Sequence, residues 1–349
     1  MLRAMDVVGN PSSVHAEGRA AKGIVETARG QVADLVGCEP SEVVFTSGAT
    51  EAATSFIKAS DQVMFPETAH DCILSNVGDV PPNFRMGSDG KGLVDLGPGY
   101  AVAFDKDERS LFVWSFANGE TGVLDVDTML ADQFEHGRIL EDAVQAYGKV
   151  SHTPNDFNAH YSLVSGHKFG GPKGAGAVFI RSGHEVQPIA SGGGQEMGRR
   201  SGTENVIGIA GFGAAAAAAK RDLENGVWEQ VEKLRDDLED ALASAASDIT
   251  FFGKDGPRLP NTSCFAVPGW KGETQVMQMD LAGFAISAGS ACSSGKVKES
   301  RVLKAMGFDS VTASSAIRVS MGPTTTEAEV MAFADTWIEH YRRWKQRAA

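Results

Sequence analysis

Ser165-Gly166-His167-Lys168-Phe169-Gly170-Gly171-Pro172-Lys173-Gly174 is the stretch whose reading decides the fold. The apolar residues that run into Ser165 have strand character, and the small residues after Phe169 make a tight turn. Lys168 therefore falls where a strand gives way to a loop. In open α/β sheets, ligands bind at such strand ends.

A second stretch, Glu141-Asp142-Ala143-Val144-Gln145, follows the apolar strand Arg138-Ile139-Leu140. It brings the Asp142 carboxylate to the C-terminal edge of a neighbouring strand, with Gln145 three residues further on. A pyridoxal-phosphate enzyme needs a lysine to hold the cofactor aldehyde and an acid to keep the pyridine nitrogen protonated. Lys168 and Asp142 are the candidates, and Gln145 is within reach of the ring hydroxyl. The cofactor's phosphate needs backbone N–H donors at a helix N-terminus, where the dipole also favours an anion. Thr46-Ser47-Gly48-Ala49-Thr50 offers one, between a strand over 42–46 and a helix over 51–58. Together these stretches read as a site for pyridoxal 5'-phosphate.

With 349 residues, 42% hydrophobic and 22% charged, the chain has room for a large core and two domains. Its most apolar stretch, 206–219, is rich in Gly and Ala and shorter than the roughly 20 residues that cross a bilayer, so it reads as a buried helix. The first residues carry neither a basic region with a long apolar run nor a cleavage pattern, so no secretion signal is expected. Cysteines at 38, 72, 264 and 292 are widely spaced with no C-x-x-C pair, which fits a reducing cytoplasm without a zinc site or disulfide framework. A net charge of -13 argues against a nucleic-acid partner.

Strand-like and helix-like segments alternate through the first two-thirds, which predicts a mostly parallel sheet wrapped by helices. Further strands are expected over 111–116, 137–140, 161–164 and 176–180. From Asn205 the chain turns strongly helical, through the alanine run 214–219 to the charged amphipathic stretch 227–246, a long helix linking two domains. Beyond it, strands over 263–267 and 284–287 and helices over 274–281 and 326–341 make a small α+β domain. That domain carries Cys292 in the segment Ala288-Gly289-Ser290-Ala291-Cys292-Ser293-Ser294-Gly295, all small residues. Lys296 and Lys298 nearby favour thiolate over thiol at Cys292, whereas Cys38, Cys72 and Cys264 read as small core residues.

The chain resembles the cysteine desulfurases, of the class V aminotransferase-like group of pyridoxal-phosphate enzymes. The resemblance runs from Gly9-Asn10-Pro11-Ser12-Ser13-Val14-His15 to Arg318 and the helix after it. It rests on five motifs in the family's order: Thr46-Ser47-Gly48-Ala49-Thr50-Glu51, Asp142-Ala143-Val144-Gln145, Ser165-Gly166-His167-Lys168, Arg200-Ser201-Gly202-Thr203-Glu204-Asn205 and Gly289-Ser290-Ala291-Cys292.

This resemblance implies an aspartate-aminotransferase-like fold, α/β, with a mostly parallel seven-stranded sheet in a large cofactor-binding domain. That domain is expected over 13–225, with a small C-terminal α+β domain over 226–349 joined by 1–12. It implies that His70 stacks on the cofactor ring and moves protons, and that Ala49, Thr50, Ser165 and His167 hold the phosphate with Thr203 from a neighbouring subunit. A cytoplasmic homodimer with shared sites follows. Arg318 matches the arginine that grips the substrate carboxylate, a task for its planar fork, and Asn118 is a further substrate contact. The implied reaction converts L-cysteine to L-alanine, with Lys168 as carrier and base and Cys292 as the nucleophile that keeps the sulfur as a persulfide. A sulfur-acceptor or scaffold protein in iron–sulfur assembly or thiolation is the expected recipient.

Three departures from the family stand out. Only nine residues precede Asn10, where the family has an extended segment lining the site. The stretches 58–70 and 125–142 are short. Gly119 stands where the family has a second Asn, which removes one hydrogen bond of about 1 kcal/mol. The rival readings are another enzyme of the same group, such as a selenocysteine lyase or an aminotransferase, and a non-catalytic regulator of sulfur transfer.

Overall fold

The computed structural model describes residues 1–78, 85–86, 92–93, 110–126, 137–184, 186–289 and 299–348. In chain order the strands are β1 (Val43–Thr46), β2 (Gln62–Met64), β3 (Arg85–Met86), β4 (Gly92–Leu93), β5 (Ser110–Ser115), β6 (Arg138–Asp142), β7 (Tyr161–Ser165), β8 (Gly176–Ile180), β9 (Thr250–Phe251), β10 (Thr262–Ala266) and β11 (Ala316–Ser320).

Among the described residues the main sheet has six strands, in the order β1-β8-β7-β6-β5-β2, against the seven expected. The pairings of β2 with β5, β5 with β6 and β6 with β7 are parallel, and β8 runs antiparallel to both of its neighbours. Five strands thus point one way and one is reversed, a mostly parallel sheet. Parallel sheets need both faces covered, and the alternation along β5 shows how that is met. Phe112 and Trp114 face a core shared with Ala16–Val36 and Val206–Glu224, while Leu111 and Val113 face Ala49–Lys58 on the other side. Each such large side chain contributes roughly 1.5–3 kcal/mol through burial.

The helix expected from 51 begins at Ala49, so the turn at Gly48 is its N-cap. The expected long linking helix is two helices, Val206–Glu224 and Val227–Ala245, broken at Asn225–Gly226. Leu2–Met5 lies against Val206–Glu224. Ala16–Val36, which the sequence reading passed over, is a 21-residue helix with a buried Val25, Ala28, Val32 and Val36 face.

The second sheet, β11-β10-β9, is antiparallel. One face packs Phe265, Ile317 and Val319 on Trp337 and Trp270, and the other packs Cys264, Ala266 and Ala316 on Val302 and Leu303. The strand expected over 284–287 does not form: only Ser287 bridges to Arg318, on the outer edge of β11.

A buried ion pair braces the main sheet. Arg29 Nη1 and Nη2 each donate to Glu196 at 2.8 Å, and Glu196 Oε2 also accepts from the Phe45 amide at 2.8 Å. Removing one partner leaves the other charge buried and unpaired, so Arg29→Met is expected to lower unfolding free energy by about 3 kcal/mol, read from urea denaturation.

Candidate active site

The parallel strands deliver the predicted residues to one edge of the sheet. Register puts Thr46 beside Gly176, Gly176 beside Ser165, and Ser115 beside Asp142. From these ends hang Gly48 and Ala49 after β1, Lys168 after β7, Asp142 closing β6 and Asn118 beyond β5. His70 sits beyond β2 as the N-cap of Asp71–Val77.

At the phosphate end, Gly48 caps Ala49–Lys58 without any side-chain hydrogen bond to the first turn. The first-turn N–H groups are the donors an anion needs. A Cβ at Gly176 would lie 2.7 Å from Gly48 Cα, so the cap turn approaches the sheet this closely only over a glycine. Ser165 Oγ is 3.0 Å from His167 Nδ1, and a Cβ on Gly48 would come 3.9 Å from the same hydroxyl. Ala49 is buried, while Thr50 and His167 are exposed. Arg200 Nε donates to Glu51 Oε1 at 2.8 Å, and Glu51 Oε2 accepts from the Ser47 amide at 2.7 Å, which ties the segment bearing the exposed Thr203 to the same helix start.

At the ring end, Asp142 Oδ1 accepts from the Val144 amide at 3.2 Å. Burial raises the Asp142 pKa, while His70 when it is protonated, and the Lys168 ammonium, oppose that rise. A carboxylate held in so dry a place favours a cation beside it, such as a protonated ring nitrogen. Lys168 closes the short helical turn Gly166–Lys168 and is half-buried. His70 Nδ1 accepts from the Cys72 amide at 3.1 Å, so the neutral ring carries its proton on Nε2. The donor set, a bare helix N-terminus at one end and a dry carboxylate at the other with a lysine between them, fits pyridoxal phosphate.

Asn118 is 7% exposed, and its amide is already engaged. Oδ1 accepts from the amides of Glu120 and Thr121 at 2.9 Å each, and Nδ2 donates to the Thr68 carbonyl at 3.4 Å. It therefore braces the 118–122 turn against the loop that carries His70. The Gly119 carbonyl accepts a hydrogen bond from Arg318 Nη1, and Arg318 Nη2 donates to Ser287 Oγ at 3.3 Å. Arg318, on β11, thus crosses from the smaller sheet to the edge of the larger one.

Sequence reasoning missed Glu120 and Arg301. Glu120 is buried, and its carboxyl is raised chiefly by burial, against the opposing effects of Ser300, Arg318 and Arg301. Arg301 Nη1 donates to the Glu67 carbonyl at 2.7 Å, and its Nη2 donates to the Ala69 carbonyl at 2.9 Å and to Asp71 Oδ1 at 3.2 Å. The arginine just beyond the expected cysteine segment therefore grips the loop of His70. Cys292, Lys296 and Lys298 themselves lie outside the described residues.

Residues 3–333 match the model of the family described as aminotransferase class-V. The chain belongs to the class V aminotransferase family. Among class V relatives, a cysteine desulfurase of Cereibacter sphaeroides is 37% identical over 337 residues, covering 92% of this chain and 86% of that protein. A NifS-like protein from Rickettsia africae superposes with a TM-score of 0.89 at 28% identity, over 98% of this chain and 94% of that one. A structure described as SspA in complex with cysteine gives a TM-score of 0.75 at 26% identity, over 93% and 95% of the two chains. The class V fold accounts for the mostly parallel sheet and for the gathering of Lys168, Asp142 and Gly48 at one edge. No helix among the described residues is long and apolar enough to cross a membrane.

Proposed function

We propose that this chain is a pyridoxal-phosphate-dependent cysteine desulfurase. It converts L-cysteine to L-alanine and leaves a persulfide on Cys292. The observation that carries the proposal is the gathering of Lys168, Asp142, His70 and Arg318 around one sheet edge, in a chain 37% identical to a protein named cysteine desulfurase.

Bound there, pyridoxal phosphate supplies an electron sink through its protonated ring. Asp142 would keep that ring protonated, and Gln145 would meet its hydroxyl. The first-turn amides of Ala49 and Thr50, with Ser165 and His167, hold the phosphate, and Thr203 of a second copy completes the cradle in a homodimer. Arg318 receives the substrate carboxylate. Lys168 holds the cofactor at rest, and its amine then takes the substrate's Cα proton. His70, with its proton on Nε2, would lie beside the ring and pass protons. The Cys292 thiolate attacks the substrate sulfur; an S–S bond forms as the Cβ–S bond breaks, and the carbon fragment keeps the electron pair and leaves as alanine once protonated. The persulfide passes to a cytoplasmic acceptor or scaffold protein in iron–sulfur assembly or thiolation.

Arg318 uses two of its donors on Gly119 and Ser287, which fixes the plane of the fork while others face the substrate. Arg318→Lys is expected to raise KM for cysteine roughly 30-fold, about 2 kcal/mol, with a smaller change in kcat. Steady-state sulfide release against cysteine concentration reads both.

The decisive experiment incubates the purified protein with pyridoxal phosphate, L-cysteine and a reductant, and measures sulfide and alanine. Equal amounts of the two are expected. Formation of neither would overturn the proposal.

A further inference from the structure

Lys149 lies one turn beyond Gln145 and is 5% exposed. Its Nζ donates to the Gln145 carbonyl at 2.8 Å and to Gln145 Oε1 at 3.1 Å. The charged groups that act on it are Lys168 and Arg318, both positive; burial first, and then these two cations, bring its pKa down to about 7. The turn that carries it is pressed against the site. A Cβ on Gly148 would fall 3.0 Å from Phe169 Cβ, next to Lys168, and the backbone there has φ +77°. Holding an ammonium in a dry, cationic neighbourhood costs stability, so its contact with Gln145 is a candidate for the compensating use.

An ammonium has three donors and no acceptor. The atom of the Gln145 carboxamide that faces Lys149 is the oxygen, as an ammonium requires. The amide nitrogen is turned to the other side, toward Gly119: a Cβ placed on Gly119 would come 3.3 Å from Gln145 Nε2. With hydrogen at that position, no side chain of residue 119 covers the N–H2 group.

We infer that Lys149 is a positioning residue: it locks the Gln145 carboxamide with its N–H2 group outward, as a donor to the ring oxygen of bound pyridoxal phosphate. This rests on the reading of Gln145 as the residue that meets the ring hydroxyl. A donor at that oxygen favours its anionic form, and so lowers the pH at which the bound chromophore takes up a proton.

The test is a pH titration of the visible absorbance of the protein reconstituted with pyridoxal phosphate, without substrate. Lys149→Met and Gln145→Ala are each expected to move the titration upward by about one pH unit, the loss of one oriented donor. The double variant is expected to move by clearly less than the sum of the two single shifts, because the lysine acts through the glutamine in addition to its field on Lys168. An unchanged titration in Lys149→Met, or a further full shift on adding it to Gln145→Ala, would overturn the inference. Gln145→Glu guards against a variant that fails to fold. It retains Lys149 and gives it a carboxylate, yet presents only acceptors to the ring, so it too is expected to titrate higher; an unshifted midpoint there also overturns the inference. A wild-type protein that shows no cofactor band at all would overturn the cofactor reading beneath it, a result distinct from a band that titrates unchanged.

Discussion

Lys168→Ala is expected to cut cysteine desulfuration by about 10³-fold or more, because one side chain serves both as the cofactor's anchor and as the base. The effect reaches further than activity. After gel filtration the variant is expected to lose the visible cofactor band that the unmodified protein keeps, since the phosphate cradle at Ala49–Lys58 and the Asp142 carboxylate then act without a covalent anchor. Fold should survive. Lys168 is half-buried at the end of the turn Gly166–Lys168, and Gly166 and Phe169 pack that turn against Phe212. Removing a cation also relieves Lys149, whose own charge is opposed by Lys168. The measurements are sulfide and alanine release, the absorbance spectrum and a thermal melt. Alanine formed at an undiminished rate would show that another group carries the chemistry.

The parts of the site legible in the sequence share one property: they follow directly from the chain's local punctuation. Apolar runs ending at Thr46, Leu140 and Val164, each followed by small or polar residues, mark strand ends, and in a parallel sheet every such end lies at the same edge. Gly48, Asp142 and Lys168 could therefore be grouped before any coordinates. Arg301 could not. Its partners at Glu67, Ala69 and Asp71 lie more than 200 residues earlier, and nothing in Ser300-Arg301-Val302 separates it from a solvated arginine. Glu120 and Lys149 are hidden for a related reason. A charged residue is normally read as exposed, and only tertiary packing makes these two dry. The expected strand over 284–287 fails on pairing. Its alternation is correct, but β11 already shares its other edge with β10, and the segment meets the outer edge only at Ser287. Ala16–Val36 went unread because its apolar stripe is built mostly of Ala and Val, with nearly half of the helix taken by Gly, Thr and charged residues.

Cys292→Ser is expected to abolish sulfide release, by about 10³-fold or more, while leaving the cofactor band and its response to cysteine intact. Chain length alone keeps this residue near the site. It is five residues from Ser287, which bridges Arg318, so at full extension it lies no more than roughly 18 Å from that bridge. On the far side the chain is pinned again by Arg301 to the loop of His70. Both ends of the cysteine's tether are thus fastened to residues that frame the sheet edge. The other thiols are poor substitutes. Cys72 and Cys264 are buried. Burial pushes Cys264 well above the usual thiol range and, with Glu42 and Glu39 adding to it, pushes Cys38 up to about 12. At neutral pH neither of those two offers a thiolate, and the thiolate is the attacking species. Incubation with cysteine followed by peptide mass spectrometry is expected to find one added sulfur atom on the peptide that contains Cys292, and none on that peptide in the serine variant. An added sulfur on Cys38, Cys72 or Cys264 in its place, or sulfide released by Cys292→Ser at the original rate, would separate the cysteine-bearing segment from the reaction and leave Lys168 and its neighbours serving a different chemistry of the same family.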